Sequence, residues 1–341
     1  MHHIGPFLRL GIIGATGTAY KRTLPALVNS EICSVTAIQC RDMKIGREVA
    51  DKFNISKVYH DREEMLAEGP IDAVFIATPP YLHKNDIGLS IKYDKHIICE
   101  KPLALNLSEA ARIADVIGKS SLGFMLAHHL RHQPAFEKIC NLIENKRIGN
   151  VLKVWMQWDF IADRKAKNAS WKFNKDLSGG GAFIDVGSHC VDIAIAYFGL
   201  PYGVTAKYSF PTASSVESDA AVTLHYDSME ILIKVSFDTA PSQNDLVIQG
   251  EKGRIICENF FSEKSTLKLE IDGLENKSEL IEFPAVNPYR EEVENFARSL
   301  KGDIPAGTGI KDAVNAMRII EAAELSARNG ISVGLENIAA Q

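Results

Sequence analysis

Asp185 and His189 are four residues apart, which places both on one face of the segment if it is helical. Histidine exchanges protons near neutral pH, and a neighbouring carboxylate orients or charges it, so the pair is a candidate for acid–base chemistry. A helix cap or a structural hydrogen bond is the other common use of such a pair. Three glycines, Gly179 to Gly181, stand just upstream, and glycine lets a ligand come close to the main chain. Lys101 follows the apolar run His96–Cys99 within Glu100-Lys101-Pro102. An ammonium there could stabilise an oxygen that develops negative charge, although a lysine after a strand is more often simply solvated.

A third stretch, Gly11-Ile12-Ile13-Gly14-Ala15-Thr16-Gly17-Thr18-Ala19, runs from an apolar strand into a helical pattern. Set against G-x-G-x-x-G, Gly14 stands first, Thr16 replaces the second glycine and Ala19 takes the third. Gly14 would make the tight turn and Ala19 the close helix–strand packing. Gly17 and Thr18 lie where a helix N-terminus would face a pyrophosphate. Thr16 departs from the pattern, but its hydroxyl could donate to a phosphate oxygen. A strand–turn–helix that binds no nucleotide stays open as an alternative. NAD sites place an acid about 20 residues on, at the end of the second strand. Here Cys40 takes that place with Arg41 beside it, and a guanidinium suits the 2′-phosphate of NADP. Sliding the register by two makes Asp42 an NAD-type acid, and a surface arginine at a strand end is a third reading.

The elements that must position these residues fall into two textures. Strand candidates Leu8–Ile13, Cys33–Ile38, Ala73–Ala77, His96–Cys99 and Gly123–Ala127 alternate with helical patterns at Met43–Phe53, Tyr81–Tyr93 and Ser108–Lys119, the last with Ser108 as its N-cap. That alternation predicts a doubly wound parallel sheet with Lys101 at the carboxyl end of a strand, where ligands bind in such folds. After about residue 148 a single helical segment, Ala182–Phe198, is followed by strands near 204–210, 220–226, 231–237, 246–249 and 254–257. Two helices, Glu291–Leu300 and Lys311–Arg328, close the chain. The expectation is an α/β protein: a Rossmann domain over 1–127 and an α+β domain over 128–341 with a large, mostly antiparallel open sheet. The C-terminal helices are expected to pack back on the first domain.

With 341 residues the chain has length for two cores. Lys and Arg total 38 against 43 acids and no basic run stands out, which argues against a nucleic-acid partner. The uncharged stretch Ile193–Ala206 is too short to span a membrane and contains Gly199, Pro201 and Gly203. The N-terminus lacks the pattern of a signal peptide, and His2 and His3 read as native or as a tag remnant. Six scattered cysteines without C-x-x-C read as reduced thiols of a cytoplasmic protein rather than as metal ligands.

Two longer motifs tie these pieces together. One is Ala77-Thr78-Pro79-Pro80-Tyr81-Leu82-His83 followed by Cys99-Glu100-Lys101-Pro102-Leu103; the other is Gly179-Gly180-Gly181-Ala182-Phe183-Ile184-Asp185-Val186-Gly187-Ser188-His189. In that order they resemble the glucose–fructose oxidoreductase / inositol dehydrogenase / rhizopine-catabolism (Gfo/Idh/MocA) family over nearly the whole chain. The His128-His129-Leu130-Arg131 stretch is similar to its NADPH-dependent 1,5-anhydro-D-fructose reductase branch.

The resemblance implies that Lys101 touches both the substrate oxygen and the cofactor, that His189 is the acid/base and that Asp185 holds substrate hydroxyls. Thr78, Pro79, His83 and Glu100 would border the cofactor, and Arg131 would reach cofactor or substrate. Trp158 and Trp171 could wall a sugar pocket or belong to the core. His128, His129 and His132 cluster, but core or pocket-edge histidines are the better reading, and no metal is expected. The expected function is NADP-dependent hydride transfer to or from a sugar, cyclitol or related polyol or carbonyl, in a homodimer or homotetramer joined through the C-terminal sheet. An NAD-dependent inositol-type dehydrogenase using Asp42 is the alternative, with a non-catalytic NADP-binding redox sensor behind it.

Overall fold

A computed structural model describes residues 7–211, 215–240, 242–262, 266–271, 278–284 and 286–339, so His2 and His3 lie outside the described residues. The chain divides into two units, residues 1–129 with 287–314, and residues 130–286 with 315–341.

The first unit alternates strand and helix. Its elements are β1 (Leu8–Ile13), α1 (Leu24–Leu27), β2 (Cys33–Gln39), α2 (Met43–Phe53), β3 (Lys57–Tyr59), α3 (Arg62–Glu68), β4 (Ala73–Ile76), α4 (Pro80–Lys92), β5 (His96–Glu100), α5 (Leu107–Gly118) and β6 (Phe124–Ala127). All six strands are parallel, in the order β3-β2-β1-β4-β5-β6 of the dinucleotide-binding sheet. β4 is buried throughout and β1 nearly so, as expected of strands covered on both faces. The N-cap of α5 is Asn106 rather than Ser108: the Asn106 side chain accepts from the Glu109 N–H at 2.9 Å, and Glu109 Oε2 accepts from Leu105 N–H at 3.1 Å.

In the second unit come α6 (Pro134–Glu144), β7 (Val151–Asp159), α7 (Lys175–Ser178), α8 (Ser188–Phe198), β8 (Gly203–Ser209), β9 (Asp219–His225), β10 (Glu230–Ser236), β11 (Asn244–Gly250), β12 (Gly253–Glu258), β13 (Thr266–Ile271) and β14 (Ser278–Glu282). Then α9 (Pro288–Leu300) rejoins the first unit and sinks Val293, Phe296 and Ala297 into the core around Leu8, Ile12 and Ile38. α10 (Ile310–Asn329), the two-residue strand β15 (Val333–Gly334) and a 3-10 turn (Leu335–Asn337) follow.

The second sheet runs β14-β13-β12-β11-β7-β10-β9-β8-β15 and is antiparallel except for the parallel pair β7–β10. One face buries Val154, Met156, Ile231, Ile233, Leu246 and Ile248. The apolar stretch Lys175–Phe198 has the length and composition of a membrane span, but 78% of its most apolar 18-residue window is buried inside the protein. The segment anticipated as one helix over 182–198 is in fact a π turn (Phe183–Gly187) that passes into α8. All six cysteines are free, and only Cys140 escapes full burial.

Candidate active site

In the first unit, β1 ends at Ile13 and the chain turns at Gly14 with φ +85°. A Cβ there would lie 3.0 Å from the main chain of Ala77, whose N–H donates to Ile13 O at 2.8 Å. Glycine is therefore required by the approach of the loop after β4. Ala19 is fully buried and opens a π turn, Ala19–Thr23. Thr16 and Thr18 are exposed, and a Cβ built on Gly17 meets nothing within 4 Å. Thr16 also borders a concavity with Tyr20, Ile45, Glu48 and Val49. Open space over a glycine turn at the head of a helical segment fits a dinucleotide pyrophosphate. Arg41 is exposed just beyond β2. Asp42 is the N-cap of α2, its Oδ1 accepting from Lys44 N–H at 2.9 Å and Ile45 N–H at 3.2 Å.

The loops after β4 and β5 are held from beneath. The Thr78 hydroxyl donates to Asp86 Oδ2 at 2.7 Å, and the fully buried Asp86 pairs with Arg62. Pro79 precedes α4 as its N-cap residue, with Pro80 at the first helical position. His83, anticipated as bordering the cofactor, is 1% exposed and turns both ring nitrogens toward main-chain carbonyls. Burial holds its pKa below the usual histidine value, against the opposing pull of those carbonyls and Asp86. Glu100 closes β5, and Lys101, half-buried, follows it at the carboxyl edge of the sheet.

In the second unit, Asp185 lies in the π turn and His189 in the first turn of α8. Such turns recur at functional sites. Lys172 Nζ donates to Asp185 Oδ2 at 2.8 Å. The buried His189 ring stands 5.1 Å from that of Trp158, which stacks in turn on Phe261 at 5.2 Å. Trp171 is half-buried, 5.8 Å from the Lys172 ammonium. Arg131 makes a bidentate pair with Asp192, at 2.9 Å through Nε and 2.7 Å through Nη2. His129 stacks on Tyr289 at 4.3 Å within the first unit.

Within the glycine run, Gly181 is required by the approach of the protein's own chain. A Cβ on Gly181 would fall 1.9 Å from the carbonyl oxygen of Glu217. The Glu217 carboxylate accepts from Gly181 N–H at 2.8 Å and Phe183 N–H at 2.9 Å, and its carbonyl accepts from Ala182 N–H at 3.1 Å. Burial raises the Glu217 pKa, and these N–H groups counter only part of the shift. Sequence reasoning missed Glu217, Asp86 and Lys172. Asp86 carried a signal, being one helical turn from His83 on α4. Lys172 adjoins Trp171, but nothing local marks Glu217.

Two profiles of one family match the chain. "Oxidoreductase family, NAD-binding Rossmann fold" covers residues 8–128, and "Oxidoreductase family, C-terminal alpha/beta domain" covers 141–335. A D-xylose 1-dehydrogenase (NADP(+)) of Haloferax volcanii is 29% identical over 96% of this chain and 100% of its own length. A scyllo-inositol 2-dehydrogenase (NADP(+)) of Bacillus subtilis is 28% identical over 86% of this chain and 88% of its own. The aldose–aldose oxidoreductase of Caulobacter crescentus shares the fold with TM-score 0.88 at 20% identity, over 96% of this chain and 99% of the other. With both domains matched in order and a glycine turn, a parallel sheet and a mixed sheet to carry them, the chain belongs to the Gfo/Idh/MocA family of NAD(P)-dependent oxidoreductases acting on CH–OH groups.

Proposed function

We propose that the protein moves hydride between NADP(H) and a sugar, cyclitol or related polyhydroxylated carbonyl or alcohol. The observation that carries this reading is the group around His189: a buried imidazole against the Trp158 ring, with Asp185 held by Lys172 in the preceding turn. It combines a proton-transfer residue, an acceptor for hydroxyl groups and an apolar ring face, which is what a polyol requires. The loop from Gly14 to Ala19 would hold the pyrophosphate, with Thr16, Gly17 and Thr18 on its open side and Thr78, Pro79 and Glu100 nearby. Arg41 would hold the 2′-phosphate, and the use of Asp42 as a helix cap favours NADP over NAD. The relatives named for NADP(+)-linked oxidation of D-xylose and scyllo-inositol support the same choice.

Bound nicotinamide supplies or takes up the hydride. His189 takes the hydroxyl proton in oxidation and returns it in reduction. Lys101 stabilises the negative charge that develops on the same oxygen, and Asp185 accepts hydrogen bonds from neighbouring hydroxyls. Lys101→Met and His189→Ala should each lower kcat by about 10²–10⁴-fold while NADPH still binds. Arg41→Ala should raise KM for NADPH by roughly 10–100-fold and leave KM for NADH unchanged. Tight NADPH binding without turnover of any sugar or polyol would overturn the enzyme reading in favour of a sensor.

Self-association is proposed through the face of the second sheet opposite the buried one. Leu232, Trp155, Val247 and Ile256 are register neighbours on four adjacent strands and form a half-exposed apolar row, with Trp155 39% exposed. Trp155→Glu should reduce the sedimenting mass to that of one chain, and an unchanged oligomer would reject this surface.

A further inference from the structure

α4 presents two side chains one turn apart, His83 and Asp86, and both grip Thr78. Asp86 takes the hydroxyl at 2.7 Å and is itself fully buried and ion-paired with Arg62, so Thr78 is a fixed point. His83 Nε2 meets the Thr78 carbonyl oxygen at 2.8 Å. On the other side of the ring, Nδ1 lies 3.0 Å from Pro102 O and 3.3 Å from Leu103 O. Those are the two residues that follow Lys101. The imidazole therefore spans two loops at the carboxyl edge of the sheet, one leaving β4 and the other leaving β5. At 1% exposure it has no surface to offer a substrate or a nicotinamide ring. A neutral ring has one N–H to donate and can hydrogen-bond only one side at a time. Burial favours that neutral form. The other nitrogen then faces its carbonyl without a bond, so the ring is tied to one loop and, packed in full burial, keeps the second loop at a fixed distance.

We infer that His83 is a positioning residue: it fixes the main chain that carries Lys101 against the anchored Thr78, and so sets where the ammonium meets the substrate oxygen. The inference rests on the proposed role of Lys101. It differs from a core-filling role in one respect. A core filler affects stability alone, whereas a strut that acts through Lys101 loses its kinetic effect once Lys101 is gone.

A double-mutant cycle in the full-length protein tests this, reading kcat at saturating NADPH and substrate together with NADPH affinity and melting temperature. His83→Leu should lower kcat by on the order of 10–100-fold, the scale of a catalytic group displaced by about 1 Å, with NADPH affinity unchanged. In a Lys101→Met background the same change should cost nothing further. His83→Gln, whose amide can donate to one carbonyl, should recover part of kcat, and it runs the same cycle if His83→Leu does not fold. Additive losses, or wild-type kcat in folded His83→Leu, would overturn the assignment. If Lys101→Met alone keeps the wild-type rate, the proposed role of Lys101 fails first and takes this inference with it. The single variants separate those two failures.

Discussion

Gly14 to Thr18 lead into the π turn Ala19–Thr23, and Gly179 to Ala182 lead into the π turn Phe183–Gly187. The two openings look alike in sequence and behave in opposite ways. At the first, Thr16 and Thr18 are exposed and the space over Gly17 is open. At the second, the N–H groups of Gly181, Ala182 and Phe183 are all taken by Glu217. A helix N-terminus attracts negative charge wherever it occurs. The second opening satisfies that attraction with a carboxylate from its own chain, whereas the first leaves it available to a phosphate. A run of glycines is therefore no ligand signature in itself. What separates the cases is whether the missing Cβ would meet protein or open space.

The largest expected effect comes from exchanging that missing Cβ. Gly181→Ala forces a methyl group to within 1.9 Å of the Glu217 carbonyl oxygen. Neither main chain can yield without breaking the Ala182–Glu217 hydrogen bond, so the loss of stability should reach about 3 kcal/mol or more. Gly17→Ala adds the same methyl where nothing stands within 4 Å. Its stability should stay within about 0.5 kcal/mol of the wild type, and its cost should appear as weaker NADPH binding. Urea unfolding and NADPH titration of both variants check the contrast. Equal stability losses would mean that the two openings do not differ as described.

The contrast explains what could be read from the sequence. β1, β4, β5 and β6 are legible because strands covered on both faces leave mostly apolar runs, whereas β2, with Ser34 exposed and Thr36 half-buried, is marked by its place between two helical patterns. β3 is three residues at the sheet edge and leaves no such run. β7 is central to its sheet yet escapes notice, because Trp155 and Trp158 fall on opposite faces and blur the alternation of Val154 and Met156 with Lys153 and Gln157. Lys101, Asp185 and His189 stand out because each sits inside a short ordered motif. Glu217 lies 36 residues beyond Gly181, and Asp86 acts through a loop eight residues upstream. Such contacts are made by the fold and leave no local pattern, so they appear only when the chain is assembled.

A smaller effect tests the balance at Glu217 between burial, which disfavours its charge, and the N–H groups, which favour it. Burial raises its folded pKa above the unfolded value, which is about 4.3 for glutamate. Between the two values the folded state holds the proton that the unfolded state has released. Its contribution to stability is thus fully present below the unfolded pKa and declines as pH rises through the folded one. Glu217→Gln removes that titration and leaves one of the two N–H groups facing an amide NH₂ instead of an oxygen, at a cost of about 1–3 kcal/mol. Measured by denaturation from pH 4 upward, the advantage of the wild type over the glutamine variant should shrink with rising pH and then level off. An advantage that grows over the same range would mean that the N–H groups outweigh desolvation and that Glu217 is ionised more readily in the fold than in water. The second opening would then hold its carboxylate as strongly as the first is proposed to hold phosphate.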